Sequence, residues 1–213
     1  MSLILALAKK LNVREDLYRN NEFSKVRKSE KSVELEGKTL GLVGLGHIGS
    51  IVARICRFGF NMNVLAYDPF VDRSKVDDWI EIVDDKKKLF SDSDFISIHI
   101  PLSDTTRNLV GKEEFSCMKG SACFINTARG GIVDENALIQ ALEEKRIAGA
   151  GLDVTVDEPA GTDNPLFSFE NVIMTPHCAG SSEEALIKAS MACAKGCFAI
   201  LNNQAVPLPV VVV

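Results

Sequence analysis

The chain has 213 residues, of which 46% are hydrophobic and 25% are charged, and these are the proportions of an ordinary globular protein. Its length lies between that of one large domain and two small ones. The formal net charge of -5 argues against a nucleic-acid partner, because neutralising phosphates requires a basic face.

The six cysteines follow no metal-binding pattern. They include no C-x-x-C pair and show no metal-site spacing with the three histidines, so no metal is expected. We expect reduced thiols that act as small apolar side chains in a cytoplasmic protein. No apolar run approaches the length of a membrane span, and no membrane partner is expected.

The sequence changes character near residue 37. Residues 1–36 are predicted to form one helix followed by a charged connector, and short apolar runs then alternate with helical stretches. The predicted strands are Thr39–Val43, Asn63–Tyr67, Trp79–Val83, Phe95–Ile100, Ala122–Asn126, Gly149–Leu152 and Val172–Met174. Most are apolar throughout, which is typical of strands covered by helices on both sheet faces.

Helical periodicity appears between these strands, notably in His47–Phe58 and Asn136–Arg146. A capping-box pattern at Ser181–Glu184 predicts a long final helix, Ser182–Leu201. Repeated β-α-β units predict a doubly wound parallel α/β sheet of the Rossmann type. We divide the chain into an N-terminal helix and connector (1–36), a nucleotide-binding domain (37–180) and a C-terminal helix with the start of a return segment (181–213).

A glycine turn follows the first predicted strand. The run from Gly44 through Gly46, His47 and Ile48 to Gly49 matches G-x-G-x-x-G, and a helical stretch follows it. In this motif the first glycine permits a tight turn, the second lets a pyrophosphate approach the backbone, and the third allows close packing of helix and strand. The helix N-terminus would attract the phosphates.

An acidic residue follows the second predicted strand, where a dinucleotide site requires one. Asp68 can accept hydrogen bonds from both adenosine-ribose hydroxyls and would repel a 2′-phosphate, so NAD is the expected cofactor. The nearby Arg73 and Lys75 leave open how strictly NADP is excluded.

Three further residues suit hydride transfer to a keto acid. Arg129 follows an apolar strand, and a guanidinium can hold a carboxylate and polarise a carbonyl. His177 follows another strand and could deliver the proton. If the imidazole of His177 pairs with Glu158, the histidine would hold that proton more tightly.

In these motifs the sequence resembles the nucleotide-binding domain of the D-isomer-specific 2-hydroxyacid dehydrogenases, a family that includes D-3-phosphoglycerate dehydrogenase and the hydroxypyruvate and glyoxylate reductases. The resemblance runs in register from about residue 37 to residue 180. It covers the glycine turn, Asp68-Pro69, His99–Leu102 with Thr106, Asn126–Gly131, Leu152–Val154, Glu158-Pro159 and Thr175–His177.

The resemblance implies a role for each matching position. Arg129 would bind and polarise the substrate, His177 would be the acid and base, and Glu158 would be its partner. His47 and Ile48 would approach the pyrophosphate and Asp68 the ribose. The groove would be lined by Pro101, Thr106, Thr127 and Ala128, with Asp153 and Gly180 near the nicotinamide. A homodimer built through this domain is also implied.

Family members carry segments before the first helix and after the last one, which form most of the substrate domain. We expect most of that domain to be absent from this chain, and we therefore predict cofactor binding ahead of turnover by the chain alone. The identity of the 2-hydroxy or 2-keto acid and the direction of reaction stay open. An alternative is an NAD-sensing interaction protein similar to the transcriptional corepressors that resemble this family, since they retain the same Arg, Glu and His.

Overall fold

The computed structural model describes residues 1–22, 24–25 and 31–206 of the chain. They belong to two compact units, Met1–Pro176 and His177–Val213. The domain boundaries predicted from the sequence lie after residues 36 and 180. The division into two compact units does not test them, and they remain predictions.

The first unit is built on a seven-stranded sheet in which every neighbouring pair of strands is parallel. The strands are β1 (Thr39–Val43), β2 (Asn63–Tyr67), β3 (Ile80–Ile82), β4 (Phe95–Ile98), β5 (Cys123–Asn126), β6 (Gly149–Leu152) and β7 (Val172–Met174). Their order across the sheet is β3-β2-β1-β4-β5-β6-β7. This confirms the predicted doubly wound fold, although β3, β4 and β5 are shorter than the sequence predicted.

Helices cover the sheet on both faces. The helices described in the first unit are α1 (Ser2–Lys9), α2 (Leu11–Arg19), α3 (His47–Phe60), α4 (Lys86–Asp92), α5 (Lys112–Cys117) and α6 (Glu135–Glu143), with 3-10 turns at Arg73–Lys75, Gly130–Ile132 and Pro165–Ser168. One hydrophobic core contains Phe90, Phe115 and Phe124, and a second contains Ile4 and Cys56. Two separate cores are the expected result when a sheet with apolar strands is sandwiched between helices.

The N-terminal segment differs from the prediction of a single helix. Lys10 adopts a left-handed conformation, with φ at 51°, and separates α1 from α2. Helix α1 buries Leu3, Ile4 and Ala8, whereas α2 buries no residue. The prediction was wrong here because continuous helical propensity does not show that the apolar face ends within the segment.

The second unit contains the long helix α7 (Glu183–Leu201). The predicted long helix is present, but it begins at Glu183, one residue later than predicted. Its N-cap is Ser182 and not Ser181, since the Ser182 side chain accepts a hydrogen bond of 3.1 Å from the backbone N–H of Ala185. Among residues 1–22, 24–25 and 31–206, no helix has the length and apolar character that crossing a bilayer requires.

Candidate cofactor and active site

Six strands of the first unit end in register at one edge of the sheet. The pairings align Tyr67, Val43, Ile98, Asn126, Leu152 and Met174 across β2, β1, β4, β5, β6 and β7. The residues that follow them in the chain are Asp68, Gly44, His99, Thr127, Asp153 and Thr175. Four of these six were predicted from the sequence as site residues. Ligands of open α/β sheets bind outside this carboxyl edge, so the register marks where a site would form.

The three motif glycines have different surroundings. Gly44 has φ at +97°, and a Cβ atom there would lie 2.7 Å from the carbonyl oxygen of His99. A Cβ atom on Gly49 would lie 2.3 Å from the carbonyl oxygen of Gly44. A Cβ atom on Gly46 would meet no protein atom within 4 Å. The first and third glycines are therefore required by packing, while the space beside the second is open to a ligand.

The turn leads directly into α3, which begins at His47. The first N–H groups of a helix have no partner within it, and together with the helix dipole they favour an anion. His47 and Ile48 are exposed beside the open space at Gly46. These residues fit the pyrophosphate of a dinucleotide.

Asp68 braces the glycine turn. Its carboxylate accepts hydrogen bonds of 2.9 Å from the backbone N–H of Leu45 and of 2.9 Å from that of Phe70. Each oxygen has a further lone pair, so these bonds leave capacity for ribose hydroxyls. The bond to Leu45 joins the end of β2 to the glycine turn and was not foreseen from the sequence.

The connection after β4 contains two predicted groove residues. The Thr106 hydroxyl accepts a 2.8 Å hydrogen bond from the backbone N–H of Ser103 and donates one of 2.7 Å to the carbonyl of Pro101. At the strand end, His99 Nε2 lies 3.0 Å from the Ser97 hydroxyl. Burial lowers the pKa of His99 to about 4, so its imidazole is neutral at physiological pH. A neutral, half-buried histidine suits a structural or cleft-lining role.

The turn that carries Arg129 is held by a buried amide. The Asn126 side chain donates a 2.9 Å hydrogen bond to the carbonyl of Arg129 and accepts one of 3.0 Å from the N–H of Ala128. The Arg129 side chain is exposed, and its Nη1 donates to the carbonyl of Ala128 at 2.6 Å. The guanidinium therefore extends from a rigid turn at the carboxyl edge.

The next strand end carries a buried carboxylate. Asp153 is 2% exposed, and its Oδ1 accepts a 2.5 Å hydrogen bond from the Thr175 hydroxyl. Glu158 lies farther along the same connection and is exposed. Arg129 and Glu158 thus lie on successive connections, after β5 and β6.

His177 and Gly180 belong to the second unit, in the segment that precedes α7. His177 is exposed and has a positive φ of 49°. Because Arg129 and Glu158 belong to the first unit, the joint catalytic role of these three residues stays a prediction.

The sequence analysis did not identify several residues whose hydrogen bonds hold the connections of the site in place. Asn126 and Thr175 are examples, and Glu135 and Asn164 are considered below. For Asn126 a signal was available in the sequence, because an asparagine at the end of an apolar strand commonly hydrogen-bonds the turn that follows.

The fold and these motifs agree with the comparisons with known proteins. Residues 1–179 match the family model described as "D-isomer specific 2-hydroxyacid dehydrogenase, NAD binding domain". The chain belongs to this family, and its cofactor is NAD.

Several relatives of this chain are named as dehydrogenases or reductases of 2-hydroxy or 2-keto acids. The chain is 40% identical to a D-3-phosphoglycerate dehydrogenase of Methanocaldococcus jannaschii, covering 96% of this chain and 38% of the relative. It is 36% identical to a glyoxylate reductase of Aeropyrum pernix, covering 97% and 63%. A solved D-lactate dehydrogenase with NAD+ from Lactobacillus jensenii superposes with a TM-score of 0.84 at 32% identity, covering 98% of this chain and 66% of that one. The chain thus spans about two-fifths of the length of its D-3-phosphoglycerate dehydrogenase relative.

Proposed function

We propose that the protein transfers hydride between NAD(H) and a 2-hydroxy or 2-keto acid of the phosphoglycerate, hydroxypyruvate or glyoxylate type. The observation that carries the proposal is the in-register ending of six strands, which places the glycine turn, Asp68 and the connections bearing Arg129 and Glu158 at one edge. The names of the relatives supply the substrate class.

In the reduction of a keto acid NADH supplies the hydride. The side chains of the protein would bind the substrate, polarise its keto group and supply the proton. In the direction of reduction, the exposed guanidinium of Arg129 would hold the substrate carboxylate and polarise the keto group. His177 would give its proton to the oxygen as hydride reaches the carbon, yielding the hydroxy acid. Glu158 would stabilise the protonated imidazole before that transfer. Oxidation would use the same groups, with neutral His177 accepting the hydroxyl proton.

The cofactor-contact assignments belong to the same proposal. They comprise Gly44, Gly46, His47, Ile48, Gly49, Asp68, Pro101, Thr106, Thr127, Ala128, Asp153 and Gly180. The space beside Gly46 and the remaining lone pairs of Asp68 support them. A cytoplasmic location also belongs to the proposal and suits the six free thiols.

We further propose that the working protein is a homodimer. Helix α3 presents Ile51, Ile55 and Phe58 to solvent with exposed fractions of 46%, 42% and 70%. They recur at helical spacing on one face, and such an apolar stripe is typical of a protein interface.

The central test is a panel of keto acids (hydroxypyruvate, glyoxylate, phosphohydroxypyruvate and pyruvate) with NADH, assayed on the full-length gene product. We expect turnover of at least one acid. His177→Ala should reduce kcat by roughly 100-fold or more, because it removes the proton donor, while the Kd for NADH changes less than about twofold. Cys178→Ala, which alters the neighbouring residue, is the matched control and should retain activity.

Preserved turnover in the His177→Ala variant would remove that residue from its role. NADH-dependent capture of a protein partner, with no turnover of any acid in the panel, would instead favour the corepressor-like alternative.

A further inference from the structure

The connection after β6 is fastened to the connection after β5 by contacts that neither the sequence motifs nor the family comparison assign. We call residues 153–164, which include Glu158, the acid loop, and residues 127–131, which include Arg129, the arginine turn. Both lie within the first unit. Their relative placement decides where the carboxylate and the guanidinium lie with respect to each other.

The first contact is between backbones. A Cβ atom built on Gly130 would lie 2.0 Å from the carbonyl oxygen of Thr155 and 2.5 Å from the nitrogen of Val156. Only a glycine therefore allows the arginine turn to approach the acid loop this closely. Gly130 follows Arg129 directly, so the contact lies next to the guanidinium-bearing residue.

The second contact is made by the first residue of α6. Glu135 Oε2 accepts a 3.3 Å hydrogen bond from the backbone N–H of Val156, and Oε1 accepts one of 3.1 Å from the side-chain amide of Asn164. The two donors lie near the two ends of the acid loop. Asn164 also accepts a 2.9 Å hydrogen bond from the N–H of Leu166, which fixes its orientation. One half-buried carboxylate therefore holds both ends of the segment that carries Glu158.

We propose that Glu135 is a positioning residue that holds the acid loop, and with it Glu158, in register with Arg129. The proposal rests on the proposed function, since it assigns Glu135 a task in that reaction. Glu135 touches neither reacting group and acts through the loop.

The chemistry of the contact explains why a carboxylate is needed. Both partners of Glu135 are N–H donors, and a carboxylate offers an oxygen to each, with its charge strengthening both bonds. A glutamine of the same shape offers one oxygen, and its NH₂ group would face a second donor. Glu135→Gln therefore breaks one end of the contact with little change in volume.

The test compares Glu135→Gln with Glu143→Gln in the full-length gene product. Glu143 is the exposed last residue of the same helix, so this control removes the same charge from α6 away from the acid loop. Hydrogen exchange of the acid-loop amides is measured together with kcat, KM and the Kd for NADH.

We expect roughly tenfold faster exchange of the acid-loop amides in Glu135→Gln, because a local opening loses a hydrogen bond that opposes it. We also expect kcat to fall roughly tenfold or more through misplacement of Glu158, with the Kd for NADH within about twofold of wild type. Glu143→Gln should match wild type in all these measurements. If Glu135→Gln does not fold, Asn164→Ala breaks the other end of the contact and should show the same pattern.

Unchanged exchange in the acid loop would overturn the proposal, and so would faster exchange with unchanged kcat. If the wild-type protein turns over no keto acid, the proposed function fails, and the exchange measurement alone then decides whether Glu135 holds the loop.

Discussion

At the scale of single residues, the same amino acid serves different physical purposes within one motif. Gly44 and Gly49 are needed because backbone carbonyls occupy the space that a side chain would fill. Gly46 is needed, in our proposal, because a ligand would fill that space. The motif predicted this division from the order of the glycines, and the surroundings of each one give the physical reason.

This difference can be measured by substituting alanine at each position. Gly49→Ala should lower the free energy of unfolding by about 1–3 kcal/mol, because the Gly44 carbonyl must move, and should also weaken NADH binding. Gly46→Ala should leave stability unchanged while weakening NADH binding by roughly tenfold. Urea unfolding and fluorescence titration with NADH test both variants.

The control for these two variants is Gly59→Ala, near the end of α3 and away from the glycine turn. A Cβ atom there would meet no protein atom within 4 Å, and alanine should add about 0.5–1 kcal/mol of stability with no effect on NADH binding. Tight NADH binding by Gly46→Ala would contradict the assignment of the open space to the pyrophosphate.

At the scale of secondary-structure elements, an ion pair between a half-buried lysine and a buried glutamate joins α4 to α5. Lys86 Nζ lies 2.9 Å from Glu114 Oε1, and Glu114 Oε2 accepts a 2.8 Å hydrogen bond from the N–H of Gly111. Burial alone would raise the pKa of Glu114, but the hydrogen bonds from Lys86 and Gly111 outweigh it and hold the pKa below its ordinary value. The pair therefore links stability to pH.

The sign of that link follows from the lowered pKa. The contribution of Glu114 to stability is fully present above the ordinary pKa of a glutamate and is lost as the pH falls through the lower value in the folded protein. Glu114→Gln should lower the free energy of unfolding at neutral pH by about 1–3 kcal/mol and flatten its decline towards acid. Urea unfolding measured over a pH series tests this.

Glu113→Gln is the matched control, since Glu113 pairs with Lys87 on the surface and its side chain is 74% exposed. Exposed pairs contribute little, so its stability should stay within about 0.5 kcal/mol of wild type at every pH. An equal loss in both variants would show that burial gives Glu114 no special role.

At the scale of the whole molecule, the exposed stripe on α3 leads to a prediction about assembly. We expect the full-length gene product to sediment as a dimer at micromolar concentration, and Ile55→Glu to shift it towards monomer because a charge would be buried in the interface. Phe167→Glu, which changes an exposed apolar residue away from α3, should leave the dimer intact. A wild-type monomer, or an unaffected dimer in Ile55→Glu, would remove the stripe from the proposed interface.

The strands and the glycine turn show how much of the structure could be predicted from the amino-acid sequence. The predicted bounds of β1, β2, β6 and β7 agree with the structure, and the start of α3 at His47 does as well. These features depend on periodicity, glycine placement and capping within a few neighbouring residues. The family and cofactor could be predicted because the motifs occur in a fixed order along the chain, and the match to the family model confirms both.

The features that the sequence could not supply depend on contacts between distant segments. Asp68 bracing Leu45, Thr175 bonding Asp153 and Glu135 holding the acid loop each join residues about 20 apart along the chain. Even the break at Lys10 depends on where the buried face of α1 ends.

The sequence by itself determined the fold class, the position of the dinucleotide turn and the family, because local propensity and motif spacing are properties of the chain. Tertiary structure alone decided which side chains brace the site, as Asp68 does at the glycine turn and Thr175 does at Asp153. The physical reason is that hydrogen bonding and packing between connections arise only when parallel strands bring their carboxyl ends into one row.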